Sequence, residues 1–133
     1  MDRFLPLNGL HVVVVDGNVD ARDMVTLALT KQGARVIATD SAAEARHIFG
    51  YVRPDVLVCD LAMSRETDLT LIQWIRRLPP EDGGTVRALA LTAFGETYGK
   101  ARAFTAGFDE YATKPIDPWE LCRLVAKMVG RAP

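Results

Sequence analysis

Cysteine is scarce in this chain, with only Cys59 and Cys122 among 133 residues. Neither has metal-type spacing and no set of pairs exists, which excludes a disulfide framework and points to a reducing compartment. Long hydrophobic runs are missing too: the apolar stretches span a few residues, against the ~18 needed to cross a bilayer. The start, Met1 to Leu7, carries Asp2 and Pro6 and lacks the basic segment and apolar block of a secretory signal. A cytoplasmic protein without a membrane partner is therefore expected. Charge of one sign is also lacking: 16 Lys and Arg against 17 Asp and Glu leave a net charge of −1. No excess remains to attract nucleic acid. With no repeat and no linker, 133 residues make one domain, 1–133, with a core over about 10–130.

Three wholly apolar runs stand out: Val12 to Val15, Val56 to Cys59 and Ala88 to Leu91. They read as strands buried on both faces. The intervening segments have helical spacing, so strand and helix alternate and a parallel sheet covered on both sides follows. In Asp20 to Gln32 the positions Ala21, Met24, Val25, Ala28 and Leu29 form one helix face, and Gly33 stops the helix. Val36 to Ala38 reads as a short second strand. Ser41 with Glu44 makes a capping box for a helix burying Ala45, Ile48 and Phe49. Leu71, Ile72, Ile75 and Leu78 mark a third helix, ended by Pro79 and Pro80. A fourth is predicted from Glu96 to Thr105, weakened by about 1 kcal/mol through Gly99 in its interior. A strand near Phe108 to Ala112 follows. Asp117 as N-cap and Pro118 at the first helical position open a last helix with Leu121, Leu124, Val125 and Met128 inward. The count is five strands and five helices, a doubly wound α/β sheet.

Each apolar run ends on a polar residue: Val15 leads to Asp16, Cys59 to Asp60 and Leu91 to Thr92. Strands end at the surface, so any one of these alone would be unremarkable. In an open α/β sheet, however, ligands bind outside the carboxyl ends of the strands, where these three would converge. Lys114, after the last strand and fixed by Pro115, would join them. Two carboxylates, a hydroxyl and an ammonium suit a site for Mg²⁺ beside a phosphoryl group, since Mg²⁺ uses one or two carboxylates plus phosphate oxygens and waters.

From Leu10 to Val129 the chain resembles the receiver domains of two-component response regulators. The resemblance rests on Asp16 with Asn18 and Asp20, on Pro54-Asp55 leading to Asp60-Leu-Ala-Met63, on Leu91-Thr92-Ala93, on Ala106-Gly107-Phe108-Asp109, and on Lys114-Pro115. It implies a flavodoxin-like fold of five strands and five helices. Asp60 would be the phosphoacceptor, taking a phosphoryl group from a phosphohistidine on a histidine kinase or phosphotransfer protein. An aspartate is already ionised at neutral pH and needs no base to become a nucleophile. Mg²⁺ would be held by Asp16, Asp60 and the main-chain carbonyl of Ala62. Lys114 would pair with a phosphate oxygen and Thr92 would hydrogen-bond it. Tyr111 would be the switch aromatic, passing the change to an effector protein through the last two helices. The bond before Pro115 would be cis. Such a domain is not an enzyme beyond promoting its own phosphorylation.

Two departures bear on the metal. The family has a second acid beside Asp16, usually the direct ligand, and here Gly17 stands there. Weaker Mg²⁺ binding is expected, with Lys114 free to pair directly with Asp60 in a self-neutralised resting pocket. After Asp60, the family has proline at the position of Ser64, and an acid and glycine at Thr67 and Asp68. The loop bearing the Ala62 carbonyl is therefore altered.

Trp74 and Trp119 read as structural aromatics. His11 and His47 lie away from the strand ends, and Cys59 points to the opposite sheet face from Asp60. The function expected is a phosphoaccepting receiver with a weakened metal-dependent step. The alternative is a pseudo-receiver that binds partners without phosphorylation. An aspartyl phosphatase ranks last, because its acid/base would stand where Ala62 does. No DNA-binding segment follows Val129, so output is expected through a partner or a domain elsewhere.

Overall fold

The computed structural model describes residues 5–61, 65–93 and 99–131, with backbone only for 65–68. Strand β1 (His11–Val15) leads to helix α1 (Val19–Lys31), β2 (Arg35–Thr39), α2 (Ala42–Phe49) and β3 (Val56–Asp60). Helix α3 (Arg65–Arg76), a 3-10 turn at Pro80–Asp82, β4 (Arg87–Thr92), α4 (Lys100–Ala106), β5 (Glu110–Thr113) and α5 (Pro118–Met128) follow. All strand pairs are parallel, in the order β2-β1-β3-β4-β5.

Strand alternation splits the core into two layers. Val13, Val15, Leu57, Cys59, Ala88 and Ala90 pack on one face with α2, α3 and α4. Val12, Val14, Val56, Val58, Leu89 and Leu91 pack on the other with α1 and α5. This explains why β1, β3 and β4 read as unbroken apolar runs, and it places Cys59 in the layer under α2 and α3. The edge strand β2 differs: Ile37 is exposed and only Thr39 is buried. It also extends one residue beyond the predicted span at each end.

Local chemistry sets the helix ends. The Asn18 side chain accepts from the Ala21 N–H at 2.8 Å and caps α1. Half of the predicted capping box forms, with Ser41 Oγ accepting from the Glu44 N–H at 3.1 Å. The Ser41 N–H donates instead to Thr39 Oγ1 at 3.4 Å. Asp117 Oδ1 accepts from the Trp119 N–H at 2.7 Å, as its N-cap position requires.

Four sequence expectations need correction. Met24 is exposed, because α1 meets the sheet and α5 through Val25 and Leu29, which leaves Met24 on the rim of the apolar stripe. Gly99 is the N-cap of α4, at φ 73, so the helix-interior penalty does not arise. The predicted helix residues 96–98 lie outside the described residues. β5 starts at Glu110 rather than Phe108, because the Phe108 N–H closes α4 by donating to Ala103 O at 3.1 Å. Gly107, at φ 130, makes that closing turn, and an amide committed to a helix end cannot open a ladder. Lastly, Trp74 packs half-buried against the core, but Trp119 is 63% exposed and has no core role.

One guanidinium joins three segments at the far end of the sheet. Arg76 Nε donates to Gly107 O at 2.9 Å, Nη1 to Gly84 O at 3.0 Å and Nη2 to Asp109 Oδ2 at 3.0 Å. Asp109 Oδ2 also accepts from the Ala88 N–H at 2.8 Å. Burial pulls the Arg76 guanidinium below its usual pKa, and Asp109 opposes this.

Cys122 is buried against α1, its thiol 3.5 Å from Ala28 O. Burial pushes this thiol up to about 11 from an ordinary 9.0. The folded state thus holds the proton more tightly than the unfolded chain. Its contribution to stability is full below pH 9 and disappears as pH rises through about 11. Melting temperatures of Cys122→Ala and wild type should converge over that window, and parallel curves from pH 8 to 11 would contradict this.

Candidate functional site

Register brings the polar strand ends together. Val15 pairs with Cys59 in the β1–β3 ladder, so the next residues, Asp16 and Asp60, emerge side by side. Asp60 is itself level with Leu91, and Thr92 with Thr113. The Lys114 N–H donates to Thr92 O at 2.8 Å, fixing where the lysine leaves β5. The Lys114–Pro115 bond is cis.

Asp16, Asp60 and Thr92 are buried, at 1%, 4% and 1% exposure. Buried carboxylates need compensation, because a charge removed from water is costly unless paired and hydrogen-bonded. Lys114 supplies it. Its Nζ lies 2.9 Å from Asp16 Oδ2 and 3.4 Å from Asp60 Oδ1, so one ammonium bridges both acids. The other Asp16 oxygen accepts from the Asn18 N–H at 2.9 Å. Arg22 Nη1 donates to the Asp16 carbonyl at 2.8 Å.

The predicted residues Asp16, Asp60, Thr92 and Lys114 thus converge at the carboxyl end of the sheet. Tyr111 sits half-buried on β5, beside Ala90 and against the core layer of α3. Ala62 and Ser64 lie outside the described residues, as do the side chains of Thr67 and Asp68. Sequence reading missed Arg22. Its only signal was a cation one helical turn beyond Asn18, the residue that caps α1.

Among the described residues, no group of three or more acidic, His or Cys side chains could hold a metal ion. Two hard, anionic oxygen donors still suit Mg²⁺, which typically takes one or two carboxylates and completes its shell with water and phosphate. The residues therefore fit such an ion, in a seat that Lys114 now fills.

No helix among the described residues is long and apolar enough to cross a membrane. The chain is 39% identical over 116 residues to an uncharacterised 14.6 kDa protein of Leptolyngbya boryana, covering 87% of each. It is 27% identical to the DNA-binding dual master transcriptional regulator RpaA of Synechocystis over 91% of this chain and 49% of that protein. The chain spans about half the length of the transcriptional regulators it matches. A structure from Chloroflexus aurantiacus assigned as a response regulator superposes with a TM-score of 0.82 at 31% identity, covering 92% of this chain and 98% of the other. The family model for the response regulator receiver domain matches residues 12–126. Receiver domains are signalling modules that accept phosphoryl groups on aspartate from histidine kinases or phosphotransfer proteins and typically bind Mg²⁺ there. With that match over most of its length, and with its acids at the ends of β1 and β3, this chain belongs to the response regulator receiver domain family.

Proposed function

We propose that Asp60 is the phosphoacceptor and that its metal-dependent step is weak. The observation that carries this is the Lys114 ammonium spanning two buried carboxylates beside Gly17, which supplies no carboxylate of its own. In the transfer, an Asp60 carboxylate oxygen forms a bond to phosphorus as the P–N bond of a phosphohistidine breaks. The electron pair of that bond returns to the donor imidazole. Lys114 leaves the carboxylate and pairs with a phosphoryl oxygen, and the Thr92 hydroxyl donates to another. Asp16, Asp60 and the Ala62 carbonyl would hold Mg²⁺, which when bound neutralises charge on the phosphoryl oxygens. Catalysis then rests on positioning and charge rather than on an acid or base, so the chain turns over no substrate of its own.

Output is proposed to pass through Tyr111 and the neighbouring surface of β5 and α5. An open cleft of about 720 Å³ runs there, lined by Tyr111, Thr113, Ile116, Glu120 and Leu124, with Trp119 at its rim. An exposed aromatic beside an open cleft suits a protein partner, and the near-zero charge disfavours nucleic acid. A cytoplasmic kinase or phosphotransfer protein is the proposed donor.

The test is intact-protein mass after incubation with acetyl phosphate and Mg²⁺. Wild type should gain one phosphoryl group, labile to hydroxylamine as an acyl phosphate is. Gly17→Asp should gain it at least tenfold faster at low Mg²⁺, by restoring a carboxylate beside Asp16. If wild type gains nothing while Gly17→Asp does, the chain is a phosphorylation-independent interaction module. If neither gains anything, the assignment of Asp60 fails.

A further inference from the structure

We infer that Arg22 is a positioning residue for the acidic pocket: by holding the carbonyl of Asp16, it fixes the glycine peptide on which the aim of the first carboxylate depends. This deepens the reading of the pocket as a cation and phosphoryl site, and rests on it. Arg22 Nη1 lies 2.8 Å from Asp16 O, and the arginine is half-buried. The accepting oxygen belongs to the peptide that links Asp16 to Gly17. A guanidinium stays charged at any physiological pH, and its charge-assisted bond from a planar fork holds a carbonyl in one direction.

That peptide is the loosest link in the turn after β1. Glycine has no Cβ to restrict rotation of the peptide before it, and Gly17 stands directly after the acid. Rotating the peptide would carry Asn18 with it, and the Asn18 N–H donates to Asp16 Oδ1 at 2.9 Å. One carboxylate oxygen therefore keeps its place only while the turn keeps its shape. The other contacts of Asp16 do not fix that peptide. Its N–H donates to Thr39 O at 3.0 Å, on the far side of the rotatable bond. Lys114 meets Oδ2 at 2.9 Å, but the proposed chemistry draws that ammonium to a phosphoryl oxygen.

Arg22 is well placed to hold the turn, because its own backbone is anchored. It lies in the first turn of α1, with its N–H donating to Asn18 O at 2.9 Å, and α1 is fastened to the core through Val25 and Leu29. The rigidity of the helix thus passes through one side chain to the peptide at Gly17, and Asp16 stays aimed while Lys114 is engaged elsewhere.

Two measurements test this. On the unphosphorylated protein, hydrogen exchange of the Asn18 amide, read by NMR, should speed at least tenfold in Arg22→Met, with the amides of Val14 and Val58 unchanged. Arg22→Lys keeps a donor and should stay close to wild type. Adding Gly17→Ala to Arg22→Met should restore protection, since Gly17 does not have a positive φ and alanine stiffens the peptide there without left-handed strain. In phosphorylation by acetyl phosphate, the Mg²⁺ concentration for half-maximal rate should rise at least fivefold in Arg22→Met, with the rate at saturating Mg²⁺ little changed. A merely structural arginine would not produce that split. Unchanged exchange at Asn18, a rise shared by the whole chain, or an equal fall in rate at every Mg²⁺ concentration overturns the proposal. Should the double variant not fold, equal exchange at Asn18 in Arg22→Lys and Arg22→Met overturns it. A wild type that gains no phosphoryl group would count against Asp60 as acceptor, and the exchange of Asn18 would still decide for or against Arg22.

Discussion

Asp60→Asn is expected to eliminate the phosphoryl adduct entirely while leaving the fold at least as stable as wild type. The amide has no anionic oxygen to attack phosphorus, so the loss should be complete rather than partial. The stability expectation comes from charge. Asp16 and Asp60 are both buried and both contact the Lys114 ammonium, which lies nearer Asp16. Removing the charge on Asp60 leaves the Lys114–Asp16 pair in place and relieves the repulsion between the buried acids. A gain of about 1 kcal/mol, or about 4 °C in melting temperature, is a reasonable scale. A melting curve beside the mass measurement checks both halves. A drop of several degrees would mean that Asp60 is held mainly to support the structure, and an adduct persisting in Asp60→Asn would place the acceptor elsewhere.

Gly84→Ala should be among the most damaging single-methyl additions in the chain. A Cβ at residue 84 would lie 1.9 Å from the carbonyl oxygen of Leu78 and 2.8 Å from its carbon. Those are backbone atoms in the turn that ends α3, and they cannot swing aside as a side-chain tip would. The turn is also tied down, since the Gly84 N–H donates to Pro79 O and Arg76 bonds the Gly84 carbonyl. Relief therefore requires moving the Arg76 link to Gly107 and Asp109 as well. About 3 kcal/mol, or about 10 °C, is expected. Gly99→Ala is the control: its φ of 73 strains an alanine, but nothing among the described residues lies within 4 Å of the added carbon. It should cost only about 1 kcal/mol. Similar losses in the two variants would show that backbone strain, rather than collision, limits both positions.

The site was legible in the chain because each acid closes an apolar run. Val12–Val15 and Val56–Cys59 are buried on both faces, so the polar residue after each had to mark a strand end. What periodicity could not show is how Lys114 meets those acids. Whether Lys114 meets Asp60, Asp16 or both depends on the register of β1, β3 and β5, which no local pattern encodes. The Arg76 link to Gly84, Gly107 and Asp109 was invisible for the same reason, since two of its partners are 31 and 33 residues away. Gly99 and Phe108 failed differently. Local composition located a helix and a strand there, but Gly99, at φ 73, starts that helix rather than lying inside it, and the Phe108 N–H is taken by Ala103 O. Trp119 could not be placed by composition at all, because a tryptophan at a helix start is equally at home inside or out.

The ion pair between Lys114 and Asp16 joins residues 98 positions apart. A contact of that span closes late in folding, since the loop it completes includes almost every other element. During synthesis on a ribosome, β1 and β3 emerge well before residue 114, so the two acids must wait without their cation. The pocket then becomes complete only when β5 docks. Premature termination anywhere before that strand would yield a product without the Lys114 ammonium between its acids, and such a chain is a natural substrate for cellular quality control.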